Sequence, residues 1–415
     1  MQMSINKKND WQTKQLNEVC DFFNGLWTGK VPPYIKVGVI RNTNFTKEGG
    51  LNDSDIAYLD VEKKQFEKRK LIYGDIVLEK SGGGPKQPVG RVVVFNKKEG
   101  DFSFSNFTSA IRVKNVKELD FNFLHRFLFF SYISGITEKM QSHSTGIRNL
   151  DTKLYKNIQV PVPSLFEQYR IVKILDETFE KIEKAKENAE KNLQNAKELF
   201  ESYLQSIFDY PGKNWEREKI IDVFQIKPPK REAKEKLKDD DLVSFVPMED
   251  LEKFSKEFVC VKERKLKDVA GSYTYFADED VLLAKITPCF ENGKLGIAKN
   301  LKNGIGFGSS EYIVFRSNGR VAPDYLYYFL ARDKFRKDGA KRMSGAVGHK
   351  RVSKEFIEES ILLFPKDLLE QKFIVAKLDK FSTETKKLES VYKQKLADLE
   401  ELKKSILKKA FNGEL

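Results

Sequence analysis

Histidine and cysteine are scarce, with three of each in 415 residues. Cys20, Cys260 and Cys289 form no CxxC pair and no metal-ligand spacing, which points to a reducing, cytoplasmic setting. His125, His143 and His349 are scattered, so neither a metal triad nor a Ser/His/Asp set can be assembled around them. No apolar run approaches the roughly eighteen residues of a membrane span. Met1–Asp10 has no apolar h-region, so no signal peptide is expected.

Catalytic signatures are missing in the same way. VPPY at 31–34 resembles the tetrapeptide of amino-methyltransferases, but Val31 stands where a hydrogen-bond acceptor is needed. No Gly-rich cofactor loop on a Rossmann strand accompanies it. GDIVLEK at 74–80 resembles a nuclease strand, yet Glu79 and Lys80 are adjacent and point to opposite faces. Its second copy, EDVLLAK at 279–285, has Ala284 in place of Glu79. SGGGPKQPVGR at 81–91 is Gly-rich without being a phosphate-cradling GxxxxGK[ST] loop.

What is present is a repeat. Phe166–Phe208 contains no Gly or Pro. Apolar residues recur at Ile171, Ile174/Leu175, Thr178/Phe179, Ile182, Ala185, Ala189, Leu193, Ala196, Leu199, Tyr203 and Ile207, the spacing of an amphipathic helix with one narrow seam. At about 1.5 Å per residue it is roughly 60 Å long and needs a partner of similar length. Leu369–Phe411 supplies one, with a seam through Ile374, Leu378, Phe381, Thr385, Leu388, Tyr392, Leu396, Leu399, Leu402 and Ile406. The letters match as well: Glu167-Gln168 with Glu370-Gln371, Ile171-Val172 with Ile374-Val375, Leu175-Asp176 with Leu378-Asp379. A constant spacing between matched residues marks internal duplication.

The duplication extends to the stretch before each helix. Trp11, Leu16 and Val19 match Trp215, Ile220 and Val223. Short β-like runs at Tyr34–Ile40, Asp75–Glu79, Arg91–Phe95 and Ser109–Val113 have counterparts at Leu242–Val246, Asp280–Ala284, Gly296–Ala298 and Tyr312–Phe315. An aromatic helix follows in each half, Phe121–Tyr132 and Pro323–Phe335, its aromatic face read as core. A polar loop comes next, Gln141–Asp151 or Arg342–Ser353. IQVPVP at 158–163 and ILLFP at 361–365 then lead into the long helices. The order module, helix, module, helix predicts an antiparallel helix pair with approximate twofold symmetry. Tyr210-Pro211-Gly212 ends the first helix, since Pro and Gly break helices.

Lys and Arg total 74 against 61 Asp and Glu, a net charge of +13, which favours a polyanionic partner, nucleic acid first. The polar loops at matching places in each half suit that partner. In the first half they carry Arg41, Asn42, Asn44, Lys80, Lys86, Gln87, Arg91, His143, Ser144, Thr145, Arg148 and Asn149. In the second they carry Lys285, Thr287, Glu291, Asn292, Lys294, Arg342, Ser344, His349, Lys350 and Arg351. Lys and Arg bind phosphates, and Arg, Asn, Gln, Ser and Thr read base edges. Similar scaffolds with different loops predict two readers of two short sequences, with the helices as spacer.

Together these features resemble the specificity subunit of type I restriction–modification systems. The resemblance rests on the two WxxxxLxxV-like starts, the GIRNL loop at 146–150, the EQ-x-x-IV-x-x-LD openings at 167–176 and 370–379, KITPCFENGK at 285–294 and KKAFNGEL at 408–415. The loop at 345–352 departs from the T-G-x-R pattern of the first copy. The resemblance implies an α+β protein. Its recognition domains span 1–162 and 211–365, and its conserved helices span 163–210 and 366–415. It implies a non-catalytic chain that reads a bipartite double-stranded DNA target. Two adenine methyltransferase subunits assemble around the helices, and restriction subunits with translocase and nuclease activity join. S-adenosylmethionine, ATP and Mg are then expected on those partners. Phe200 and Leu204, off the helical seam, are expected to make partner contacts. The alternatives are a silent or donor specificity chain, a coiled-coil scaffold with no DNA role, and a stand-alone methyltransferase or nuclease.

Overall fold

The computed structural model describes residues 11–26, 31–84, 87–142, 147–253, 255–258, 260, 262–346 and 348–415. The chain divides into two compact units, Met1–Ala189 with Gln394–Leu415, and Glu190–Lys393. Two long helices, Leu165–Asp209 and Leu368–Phe411, contribute residues to both. The expected helices at Phe166–Phe208 and Leu369–Phe411 are thus present, each starting one residue earlier.

In the first unit, β1 (Gln12–Gln15) pairs antiparallel with β12 (Gln159–Val162), the strand that leads into the first long helix. The central sheet has the order β2-β9-β5-β7 and is antiparallel throughout. Its strands are Cys20–Asn24, Thr108–Val113, Ile76–Glu79 and Val92–Val94. A second sheet, β4-β3-β8, joins Ala57–Glu62, Tyr34–Ile40 and Phe102–Phe104. A small third sheet, β10-β11-β6, joins Gln141–Ser142, Arg148–Leu150 and Ser81–Gly83.

The second unit repeats this plan. β13 (Trp215–Lys219) pairs with β22 (Ile361–Pro365). The central sheet β14-β21-β18-β19 uses Phe224–Ile226, Tyr312–Ser317, Val281–Ala284 and Leu295–Ile297. The side sheet β16-β15-β20-β17 (Lys262–Lys265, Leu242–Val246, Ile305–Gly308 and Thr274–Ala277) has one strand more than its counterpart.

The letters shared by the two halves turn out to be fasteners. Gln168 and Gln371 are fully buried. Gln168 donates to the carbonyls of Pro163 and Glu118 at 2.8 Å and accepts from the Asp120 amide at 2.8 Å. Gln371 donates to Pro365 at 2.8 Å and Arg320 at 2.9 Å, and accepts from Ala322 at 2.8 Å. One side chain therefore ties helix start, incoming strand and the approach to the aromatic helix. A buried amide so saturated is costly to lose, because every partner is left unpaired. The acidic residue opening each central strand is a second fastener. Arg112 clamps Asp75 through two bonds of 2.7 Å, and Arg316 clamps Asp280 at 2.8 and 2.7 Å. Burial raises the Asp280 carboxyl and the Arg316 bonds oppose it.

The aromatic helices are core, as read. Phe123, Phe127 and Phe130 surround Phe411 at ring distances of 5.3 to 5.6 Å. Lys186 meets Glu400 at 3.0 Å and Lys403 meets Glu183 at 3.4 Å, so within the first unit the two long helices run antiparallel. In the second unit Tyr203 and Phe200 pack on Phe381 at 4.8 and 6.2 Å.

Several expectations are corrected. Leu199, Leu388 and Leu402 lie outside the seam and are exposed. Leu204 and Phe208 take the interior instead, because the repeat of an α-helix drifts against a strict seam over this length. Leu204 is fully buried and Phe200 is half-buried against Phe381, so neither is a free docking residue. The second aromatic helix breaks at Arg332, whose ψ is 138°, giving Pro323–Ala331 and Asp333–Lys341. There the Arg332 guanidinium covers the Phe329 and Phe208 rings, 4.0 and 4.6 Å from their centroids.

Candidate nucleic-acid interface

In each unit the chain leaves the strand that follows the clamped Asp and meets the polar loop that precedes the long helix. The Leu150 amide donates to the Lys80 carbonyl at 2.8 Å, and the Val352 amide donates to the Lys285 carbonyl at 2.9 Å. Lys80 and Lys285 themselves donate through their amides to Phe107 at 3.0 Å and Glu311 at 2.9 Å. The Glu79 amide donates to Arg91 at 2.9 Å, and the Ala284 amide to Lys294 at 3.0 Å. These bonds superimpose the two halves residue by residue. Lys80 corresponds to Lys285, Arg91 to Lys294, Phe107 to Glu311 and Asn149 to Arg351. The result is a lip of polar side chains on one edge of each central sheet.

The first lip is built around a buried acid. Glu79 is 1% exposed and receives Arg91 through two bonds of 2.8 Å. Arg91 also donates to the carbonyls of Asn42 at 3.0 Å and Phe45 at 3.2 Å. The Asn42 amide reaches Glu79 at 3.3 Å, and Gln87 turns its amide oxygen to Arg91 at 2.8 Å. Asn42, Gln87 and Arg91 therefore converge, with Gly82 at a φ of 96° beside them. Asn149 is exposed next to this network and accepts from the Ser81 hydroxyl at 2.5 Å. Lys80 donates to Asn24 at 3.0 Å, and burial pulls its ammonium below the ordinary lysine range. Arg148 faces Glu138 at 3.3 Å.

Two residues of the first half behave otherwise than expected. Asn44 is completely buried; its side chain bonds the amide of Arg41 and the carbonyl of Asp55, both at 2.9 Å. It shapes a turn and cannot meet a ligand. Arg41 leans on Asp55 at 3.2 Å. Lys86, His143, Ser144 and Thr145 lie outside the described residues.

The second lip has its acid on the rim. Arg351 grips Glu311 at 2.9 and 2.8 Å, and that contact holds the Glu311 carboxyl below its usual range. Lys285 donates to the Ser310 carbonyl at 3.1 Å. Lys294, with Ala284 where the first unit has Glu79, donates to the Met248 carbonyl at 2.5 Å. Ser344 pairs with Arg351 through the backbone at 2.8 and 3.0 Å, as Ser142 pairs with Asn149 in the first unit. Thr287 donates to Glu291 at 2.8 Å and its amide bonds the Lys350 carbonyl. His349 and Lys350 are exposed, Asn292 is half-buried, and Arg342 lies over the Phe356 ring. Phe107, Ser81 and Glu311 also belong to the lips. They escape a repeat-based reading because they differ between copies or lie on short strands with no pattern of their own.

Among the described residues no cluster of His, Cys, Asp and Glu could hold a metal ion, and no helix is long and apolar enough to cross a membrane.

Comparison with known proteins supports the duplication. The chain is 39% identical over 173 residues to the EcoAI specificity subunit of Escherichia coli, covering 40% of this chain and 28% of that protein. It is 35% identical over 162 residues to the EcoEI specificity subunit of Escherichia coli, covering 38% and 26%. The chain thus spans just over a quarter of the length of these two relatives. The MjaVIII specificity subunit of Methanocaldococcus jannaschii is 25% identical over 311 residues, 67% of each chain. The HsdS subunit from Thermoanaerobacter tengcongensis shares the fold with a TM-score of 0.58, at 17% identity and 98% coverage of both chains. A chain from a study of complex assembly and conformational transition of the type I R-M system reaches 0.74, at 18% identity and the same coverage. Residues 8–191 and 212–399 each match the type I restriction modification DNA specificity domain, and the chain belongs to that family.

Proposed function

We propose that the chain is the DNA-recognition subunit of a type I restriction–modification complex, each lip reading one half of a bipartite target. The observation that carries this reading is the repeated lip. Its backbone hydrogen bonds are the same in both units, while Arg91, Phe107 and Asn149 of the first give way to Lys294, Glu311 and Arg351 in the second. Arg and Lys on such a lip bind backbone phosphates, and the exposed Asn149 and Arg351 are of the residue types that read base edges. The net charge of +13 supplies the long-range attraction.

Chemistry belongs to partners in this reading. Each unit exposes an apolar pair at the start of its long helix: Phe166 and Tyr169 are 80% and 54% exposed, Leu369 and Phe373 72% and 60%. Two such patches suit two methyltransferase subunits. S-adenosylmethionine would bind there, and ATP and Mg would serve the restriction subunits. The test is methylation mapping. The chain is co-expressed with its methyltransferase in a host free of adenine methylation, and modified adenines are read across the genome. A single split motif with a constant spacer is expected. No methylation from an assembled complex would refute the reading.

A further inference from the structure

The second unit has a basic cavity beside its lip. In the first unit β2 continues to Asn24, paired with Ser109, and the Asn24 side chain caps Lys80 at 3.0 Å. In the second unit the equivalent strand, β14, stops at Ile226. Lys227 follows with a φ of 59°, its amide on the Val314 carbonyl at 2.9 Å, and Pro228 cannot continue the ladder. The left-handed turn at a non-glycine residue carries a cost, and it swings the chain off the sheet.

A cavity of about 680 Å³ opens where the strand would have run, beside the second lip. Lys227, Lys230, Lys285 and Lys354 line it. Its one carboxylate among the described residues, Glu358, already pairs with Lys354 at 3.2 Å. Lys285 sits 4.0 Å from Glu311, which is itself committed to Arg351. Lys230 donates to the Gly271 carbonyl at 2.8 Å. Burial lowers its proton affinity, and Lys227 and Lys234 lower it further. Among the described residues neither Lys227 nor Lys230 meets a carboxylate, and a cleft lined by charge of one sign attracts the opposite charge.

We propose that this cavity receives phosphate oxygens of the DNA backbone next to the half-site read by the second unit. The inference rests on the DNA-recognition reading above. Lysines are point charges without the planar fork that reads bases, so the site adds affinity and no sequence preference. It adds to the salt dependence of the second unit's DNA binding.

The test uses the assembled complex with its methyltransferase and a double variant, Lys227→Asn with Lys230→Gln. Asn tolerates the left-handed backbone and Gln keeps the length of the side chain. DNA affinity is measured against salt for target and scrambled duplexes. Affinity should fall several-fold for both duplexes alike. The slope of log affinity against log salt should shrink by about one to two units, about 0.9 per phosphate lost. The methylation motif should stay unchanged. The pair Lys227→Arg with Lys230→Arg should restore the parent slope. A parent-like slope in the double variant overturns the proposal. So does a changed motif. Retained DNA binding with loss of thermal protection by inorganic phosphate alone overturns it too, in favour of a free-ion site. If the parent complex itself fails to prefer target DNA, the recognition reading falls, and this inference with it.

Discussion

The two lips hold the same backbone and opposite arrangements of charge. In the first, the acid is inside: Glu79 is buried and locks Arg91 inward. In the second, Ala284 replaces it, Lys294 has no carboxylate partner among the described residues, and the acid moves to the rim as Glu311. The fasteners beneath do not change. Gln168 and Gln371 make the same three bonds, and Asp75 and Asp280 the same Arg clamp. Duplication has preserved what positions the lip and released what the lip presents. The division is physical. A buried, saturated amide tolerates almost no replacement, whereas a rim side chain costs little to exchange.

The comparison predicts that the fasteners weigh the same in both units. Gln168→Leu and Gln371→Leu should each destabilise by about 3 kcal/mol, since each leaves a buried amide and two carbonyls unpaired. Chemical denaturation checks this, and a cost confined to one unit would break the equivalence. The lips should respond unequally. Lys294→Gln should weaken DNA binding about tenfold, roughly 1.4 kcal/mol. Arg91→Gln should chiefly loosen the fold of the first lip by stranding Glu79. Binding titrations beside melting curves separate the two outcomes. Arg148→Gln should weaken DNA binding without unfolding, by a few-fold, because its tie to Glu138 is partly exposed. Glu311→Gln should free Arg351, raising non-specific affinity and steepening the salt slope by about one unit.

The last effect is silent at neutral pH and concerns His125, a residue of the first unit. Burial pushes its imidazole down to about 3. The folded protein therefore holds it neutral while the unfolded chain titrates near 6.5. Its stabilising contribution is present above pH 6.5 and fades as pH falls towards 3. His125→Gln should flatten the acid limb of a stability-versus-pH curve for the first unit, and leave the second unaltered.

The fold was largely legible in the sequence, because period and repetition reported it. Both long helices, the aromatic helices and all eight paired strand runs overlap regular elements at nearly the expected residues. Gly296–Ala298, for example, sits one residue later than the strand Leu295–Ile297. The break at Arg332 was hidden, since one of the two rings its guanidinium covers, Phe208, comes from the first long helix. The site was legible only as a location. Polar letters group Asn44 and Arg91 with Asn149 as candidates, but only packing shows Asn44 buried in a turn and Arg91 drawn to Glu79. Phe107 and Glu311 were invisible because a rim position that varies leaves no repeat to detect. The basic cavity was equally hidden, since it follows from a strand ending early at Ile226.

The central claim is that each unit carries its own reading lip on a shared scaffold. A chimera that carries the recognition residues 215–365 in place of 11–162, mapped by methylation with its methyltransferase, tests it most directly. The account predicts a split motif in which the second unit's half-site occupies both blocks. An unchanged motif, or a new sequence in both blocks from an assembled complex, would contradict it.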